Sequence, residues 1–375
     1  MISPRVILSG GGTGGHIFPA ISIAEEIQKR YPKAEFLFIG ALSKMEMEKI
    51  PQAGFRVEGL DIAGFDRGNI LSNFKLPFRL LNSLFKVRKI IKNFKPDFAV
   101  GTGGYASGPA LWTASRMGVP IFIQEQNSFP GITNKILSKK AKAIFTAYPD
   151  MEHFFPKTEV KFLGNPVRQN IVQDRVSSQE AKKILGLKDN LTILSVGGSQ
   201  GSRTLNIGWK DNLDKLKERG YQLIWQTGKL DYASLNEDQQ ISALKDQVFL
   251  KEFIGDMGVA YAAADVIVSR AGAIAISELA LAVKPMILVP LPTAAEDHQT
   301  KNAQRLVERG AAFMVKDVEM KDKFWQTLES LCEDQNLREE MKTHVMEFGK
   351  PEATKEIADE IFKSMSFNNA SGNKK

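Results

Sequence analysis

A chain of 375 residues, 43% hydrophobic and 25% charged, has the size and composition of two ordinary globular domains and excludes a disordered or fibrous polymer. Its single cysteine, Cys332, rules out an intramolecular disulfide or a cysteine zinc cluster and fits a reducing, cytoplasmic setting. The net charge of +7 is uneven: residues 1–165 carry 22 Lys and Arg against 13 Asp and Glu, and residues 166–375 carry 28 against 30, so the first half should face an anionic partner.

No stretch approaches the roughly eighteen unbroken apolar residues of a membrane span. The N-terminal MISPRVILSGGG reaches its glycines too soon for a signal-peptide core. Arg5–Leu8, Glu35–Ile39, Phe55–Leu60, Asp97–Val100, Pro120–Ile123 and Ala143–Thr146 read as short buried strands. Helical patterns separate them, such as Ile17–Arg30, where Ile17, Ile21, Ala24 and Ile27 share one face. This alternation predicts a doubly wound parallel α/β sheet.

The run LSGGGTGGHIFP follows the first strand and opens a helix. Gly10, Gly12 and Gly15 satisfy G-x-G-x-x-G, which admits an NAD-dependent oxidoreductase. That reading wants an acidic residue closing the second strand, and EFLFIG ends in Gly40-Ala41-Leu42 instead. No Lys-Ser/Thr follows the glycines, so a P-loop is excluded. Further on, Asn73–Lys95 is rich in Lys and Arg and has no acidic residue. Leu80, Leu84, Val87, Ile91 and Phe94 form one apolar stripe suited to a sheet. Phe74, Phe78, Leu81 and Phe85 form a second, displaced stripe, suited either to a neighbouring helix or to an anionic membrane surface. Nucleic acid is disfavoured, because no stacking platform accompanies the charge. A second glycine loop, GTGGYASGP (Gly101–Pro109), follows the strand Asp97–Val100.

After a hinge near Asn165–Ser178 the pattern restarts, with strands at Leu191–Val196, Gln222–Trp225, Val248–Leu250, Val266–Ser269, Met286–Val289 and Ala312–Val315. A third glycine loop, GGSQGS (Gly197–Ser202), again stands between a strand and a helix. Backbone N–H groups and the helix dipole favour phosphate oxygens there, although glycines also serve tight turns. The segment SRAGAIAISELALA places Glu278 two turns into an apolar helix, where it needs a polar partner such as ribose hydroxyls or a basic side chain. In EDHQTKNA, His298 and Gln299 can hydrogen-bond sugar hydroxyls. Phe324–Met365 reads as helical apart from a break near Gly349–Pro351, and SFNNASGNKK, residues 366–375, as a disordered tail.

In order along nearly the whole chain stand GGTGGHIFPA, GTGGYASGP, EQNSFPGITNK, GNPVR, GGSQGS, FIGDM, SRAGAIAISE and HQTKNA. With this set the chain resembles the MurG family of GT-B glycosyltransferases. The resemblance implies an α/β GT-B fold, two Rossmann-like doubly wound parallel-sheet domains facing a cleft. Residues 1–165, with a C-terminal helix at about 350–365 packing back, would face the acceptor and membrane; residues 166–349 would hold the donor. The implied activity is inverting transfer of GlcNAc from UDP-GlcNAc to the lipid I acceptor, giving lipid II, at the cytoplasmic face of the bacterial plasma membrane. By family pattern Thr13, Gly14, Gly15, Asn127, Arg168, Ser199, Ile254, Ala273, Glu278 and Gln299 contact the UDP-sugar, with Ile254 on uracil through its backbone and Glu278 on ribose. Other cell-wall synthesis proteins are further expected partners. Three departures stand out: Gln124 where many relatives have His, Ala271 where Ser is frequent, and His298 where Gln is frequent.

Inverting transfer needs a base and stabilisation of departing UDP. His16, ending the first glycine loop at a helix N-terminus, is the first candidate base, since the dipole there favours a neutral ring; it can equally contact an acceptor phosphate. Glu125 and Tyr105 are the next candidates. No D-x-D motif occurs, so no cofactor is expected, with a non-essential Mg²⁺ left open. The rival readings are a diacylglycerol glycosyltransferase of the same superfamily, the oxidoreductase, and a non-catalytic membrane adaptor.

Overall fold

The computed structural model describes residues 3–42, 44–62, 76–167, 176–198 and 200–366. Phe74, Arg168, Ser199 and the tail beyond Ser366 lie outside the described residues. The chain divides into two units, Met1–Val167 with Glu352–Lys375, and Arg168–Pro351.

In the first unit the described strands are β1 (Arg5–Gly10), β2 (Glu35–Ala41), β3 (Val57–Leu60), β4 (Phe98–Gly103), β5 (Ile121–Glu125), β6 (Ala143–Thr146) and β7 (Glu159–Phe162). They form one parallel sheet in the order β3-β2-β1-β4-β5-β6-β7. The inner strands are apolar and β-branched because both of their faces are covered. β7, sequence EVKF, was not foreseen; it is an edge strand whose Glu and Lys are tolerated because one side reaches solvent.

The helices α1 (Gly14–Arg30), α2 (Glu46–Gln52), α3 (Leu76–Phe94), α4 (Ser107–Arg116) and α5 (Ile132–Ser138) connect these strands. Ile17, Ile21, Ala24 and Ile27 of α1 do share a buried face, packed with Phe36, Phe38 and Phe98. The closing helix Ala353–Ser364 joins the same core through Ile357, Ala358, Ile361 and Phe362. Phe362 lies 4.6 Å from the Tyr31 ring and 6.1 Å from Phe98, centroid to centroid. Lys161 of β7 is paired with Glu360, and Arg30 with Asp359.

The expected buried stripe of α3 is realised only from Val87 onward, through Ile91 to Phe94. Leu80 is exposed and Leu84 half-buried, because α3 packs chiefly along α4. The two leucines instead line a cavity of about 380 Å³ with Ile62, Tyr105, Trp112 and Ile136. On the second stripe Phe78 is 71% exposed and Phe85 72%, with Leu81 beside them at 52%.

The second unit repeats the plan. Its described strands β8 (Thr192–Val196), β9 (Gln222–Gln226), β10 (Val248–Lys251), β11 (Val266–Ser269), β12 (Met286–Leu288) and β13 (Phe313–Met314) are parallel, in the order β10-β9-β8-β11-β12-β13. Each sheet therefore reverses its strand order once, between β1 and β4 and between β8 and β11. Such a switch point opens a crevice at the strand C-termini, where ligands of open α/β sheets bind. All three glycine loops follow strands that flank a switch point. The closing helical region breaks at Asp334 as well as near Gly349, since the Asp334 side chain caps the helix Gln335–Val345 by accepting from the Leu337 N–H.

Candidate active site

At the first switch point the two glycine loops are built against each other. The Gly11 N–H donates to the Gly103 carbonyl at 3.3 Å, and the Thr102 hydroxyl donates to the His16 carbonyl at 2.7 Å. Gly104 has φ +84°, and a Cβ there would stand 2.1 Å from the Gly11 carbonyl oxygen, so only glycine allows this approach. The buried carboxylate of Glu46 accepts from the N–H groups of Gly12 at 3.1 Å and Ala41 at 2.9 Å, tying the loop to the end of β2.

Thr13 is the extended cap of α1, and its side chain makes no cap hydrogen bond. The first N–H groups of this 17-residue helix, at Gly14 and Gly15, therefore have no side-chain cap and can meet an anion. His16 follows, half-buried, with Nδ1 2.8 Å from Oε1 of Gln126. The loop after β5 thus reaches the first glycine loop directly. Asn127, next along, donates its backbone and side-chain N–H groups to Glu125 Oε1, at 3.0 and 3.2 Å.

Two of the three candidate bases are placed differently from the expectation. Glu125 is buried, and its carboxylate also takes the Gly131 N–H at 3.3 Å and Asn134 Nδ2 at 2.7 Å. A carboxylate holding four donors anchors the loop 126–134 and has no lone pair directed to a reactant. Tyr105 is exposed on the rim of the apolar cavity beside Trp112 and Ile136, a setting that serves packing of an apolar group.

At the second switch point the third glycine loop is packed on the turn after β9. Gly201 has φ +92°, and a Cβ on it would stand 2.2 Å from the Thr227 carbonyl oxygen. The Ser202 hydroxyl caps the helix Arg203–Lys210 by accepting from the Leu205 N–H at 3.3 Å. Buried Gln226 joins this loop to Ile254: its Nε2 donates to the Gly198 carbonyl at 3.3 Å and its Oε1 accepts from the Ile254 N–H at 2.9 Å. The Ile254 N–H is taken by this bond, and its carbonyl remains for the backbone contact that the resemblance implies.

The helix Ala273–Ala282 starts at Gly272, which offers no side-chain cap, so Ala273 opens it with N–H groups toward the switch point. Glu278 on that helix has a polar partner the sequence did not reveal: the Tyr261 hydroxyl donates to its Oε2 at 3.2 Å. Burial, with Glu278 beside it, holds the Tyr261 phenol well above its ordinary pKa, so it remains a donor. Gln299 Oε1 accepts from the N–H groups of Ala271 at 3.1 Å and Leu291 at 3.0 Å, which turns its amide nitrogen the other way. Arg270, flanking this site, is paired with Asp317 and donates to the carbonyls of Val289 and Pro290, each at 3.1 Å. It braces the loops that follow β11 and β12.

Residues 6–146 match the glycosyltransferase family 28 N-terminal domain, and residues 192–360 match the family's C-terminal domain. The chain is 47% identical over 359 residues to the UDP-N-acetylglucosamine–N-acetylmuramyl-(pentapeptide) pyrophosphoryl-undecaprenol N-acetylglucosamine transferase of Cytophaga hutchinsonii, covering 96% of each chain. It is 48% identical to the protein of the same name from Christiangramia forsetii, covering 96% of this chain and 97% of that one. The chain belongs to this family. Among solved structures, the crystal structure of Acinetobacter baumannii MurG superposes with a TM-score of 0.77 at 30% identity, over 96% of this chain and 99% of that one. The fold is that of the GT-B glycosyltransferases.

Against the family pattern, His16, Thr13, Gly14, Gly15 and Asn127 gather at the first switch point, and Ile254, Ala273, Glu278 and Gln299 at the second. Sequence reasoning missed Glu46, Gln126, Asn165, Gln226 and Tyr261. One signal was available: residues 124–127, QEQN, are four polar residues closing an apolar strand, and all are buried. Such a run requires partners. Among the described residues, no helix is long and apolar enough to cross a membrane, and no group of three or more His, Cys, Asp or Glu side chains is placed to hold a metal.

Proposed function

We propose that the protein transfers GlcNAc, with inversion, from UDP-GlcNAc to the MurNAc 4-hydroxyl of undecaprenyl-diphosphate-MurNAc-pentapeptide, converting lipid I to lipid II. The observation that carries this reading is near-half identity along 96% of the chain to transferases named for that reaction. In this mechanism the acceptor hydroxyl passes its proton to His16 Nε2 while its oxygen bonds to the sugar C1. The bond from C1 to the UDP phosphate oxygen breaks, and glycine-loop N–H groups meet the charge on departing UDP.

The second unit holds the donor. Glu278, oriented by Tyr261, takes ribose hydroxyls; the Ile254 carbonyl faces uracil; the Gln299 amide nitrogen and the Ala273 helix start meet the sugar and diphosphate. Arg168 and Ser199 complete this set by family pattern. The first unit holds the lipid diphosphate against its paired glycine loops. Its Phe78, Leu81 and Phe85 patch, among Lys and Arg, dips into anionic lipid at the cytoplasmic face of the membrane. The mechanism needs no cofactor, and turnover that persists in EDTA is the expected result.

Radiolabelled UDP-GlcNAc offered in detergent with lipid I or with diacylglycerol tests the reading. Label in a lipid II product and none on diacylglycerol is expected; the reverse pattern overturns the acceptor assignment. His16→Ala and Glu278→Ala that both leave transfer unchanged would remove the assigned site.

A further inference from the structure

A chain of three buried amides ends on His16, and its direction is set by backbone carbonyls, which can only accept. Asn165 Nδ2 donates to the Gln126 carbonyl at 3.2 Å, so Asn165 must present Oδ1 to Gln124. Gln124 Nε2 meets that oxygen at 2.8 Å, so Gln124 must present Oε1 to Gln126. Gln126 Nε2 donates both to that oxygen and to the Gln124 carbonyl, the latter at 3.0 Å. A flipped Gln126 amide would set its oxygen against two acceptors. Gln126 Oε1 therefore faces His16 Nδ1 at 2.8 Å, and an amide oxygen there requires a proton on Nδ1. All three amides are buried, with Gln124 fully so, and water does not compete for these bonds.

We propose that Gln126, Gln124 and Asn165 are positioning residues that lock neutral His16 as the Nδ1–H tautomer, leaving the Nε2 lone pair as its only proton-accepting site. That this matters for turnover rests on the reading of His16 as the base; the tautomer itself does not. The relay also gives fully buried Gln124 a use. Its anchor, Asn165, stands two residues before Val167, the last residue of the first unit's longer segment. The amide that starts the relay thus also pins the point where the chain leaves this unit.

The direct test is ¹⁵N NMR of the full chain labelled at its four histidines, at about pH 8.5, above the ordinary imidazole range. The His16 resonances are assigned by their loss in His16→Asn. A protonated Nδ1 and bare Nε2 in the wild type is expected, with conversion toward the Nε2–H form in Gln126→Leu. In Gln126→Leu, kcat for transfer falls about tenfold while KM for UDP-GlcNAc stays within about twofold, as for loss of a group that acts only in the transition state. A proton on Nε2 in the wild type, or an unchanged tautomer in Gln126→Leu, overturns the proposal. The wild-type spectrum decides it even where the variant does not fold. The expected tautomer together with unimpaired kcat in both Gln126→Leu and His16→Ala would leave the positioning intact and refute His16 as base.

Discussion

The abutting glycine loops of the first unit permit a sharp comparison between Gly12→Ala and Gly104→Ala. Both glycines have left-handed backbone, φ +88° and φ +84°, so alanine carries a similar intrinsic cost of about 1 kcal/mol at either. At Gly12 the new methyl meets nothing within 4 Å. At Gly104 it stands 2.1 Å from the Gly11 carbonyl oxygen, and restoring ordinary contact demands a backbone movement of about 1.3 Å in a close-packed region. A shift of that size breaks the Gly11–Gly103 hydrogen bond and strains the Gly12–Glu46 bond, each buried group left unpaired costing about 1–3 kcal/mol. In a domain of this size 1 kcal/mol lowers the melting temperature by about 2–4 °C, so Gly12→Ala should lose about that much and Gly104→Ala upward of about 8 °C. Scanning calorimetry of the two variants reads the difference. Equal shifts would show that the loops are not in backbone contact.

Three further outcomes are expected. Tyr261→Phe should raise KM for UDP-GlcNAc by about 2–10-fold at constant kcat, the worth of one hydrogen bond that orients Glu278; a fall in kcat at constant KM would contradict a ground-state ribose contact. Burial pushes the Cys332 thiol from 9.0 up to about 12, so its stabilising contribution is complete below pH 9 and is lost as pH rises toward 12. At pH 10 the loss is on the order of 1 kcal/mol, and Cys332→Ala should show a shallower decline in melting temperature between pH 8.5 and 10; parallel curves would refute the linkage. Replacing exposed Phe78 and Phe85 together by serine should leave the melting temperature unchanged. Co-sedimentation with anionic phosphatidylglycerol vesicles should drop at least about tenfold, because each ring contributes on the order of 2 kcal/mol in lipid; undiminished binding would place the membrane contact elsewhere.

Most of the fold was legible because parallel strands buried on both faces leave unbroken apolar runs, and glycine loops punctuate them at strand ends. β7 escaped because an edge strand of four residues with Glu and Lys carries no such signature. The stripe of α3 was read as one buried face, yet periodicity alone cannot say where along a helix its neighbour stops, and Leu80 lies past that point. At the site, loop positions were legible and contacts were not. His16 meets a residue 110 positions away and Gly12 a carboxylate 34 away. Nothing local in the sequence encodes such pairings. Glu125 stood among the candidate bases; the four donors that occupy it come from a turn whose geometry only the fold supplies.

The closing helix carries a consequence for how the chain is made. Residues Ala353–Ser364 complete the core around Ile17, Phe98 and Tyr31, so the first unit is interrupted by the whole of the second. During synthesis from the N-terminus, the second unit has all its parts while the first still lacks its last helix. The half made first is thus finished last, and until Phe362 arrives Tyr31 and Phe98 lack the ring that packs on them.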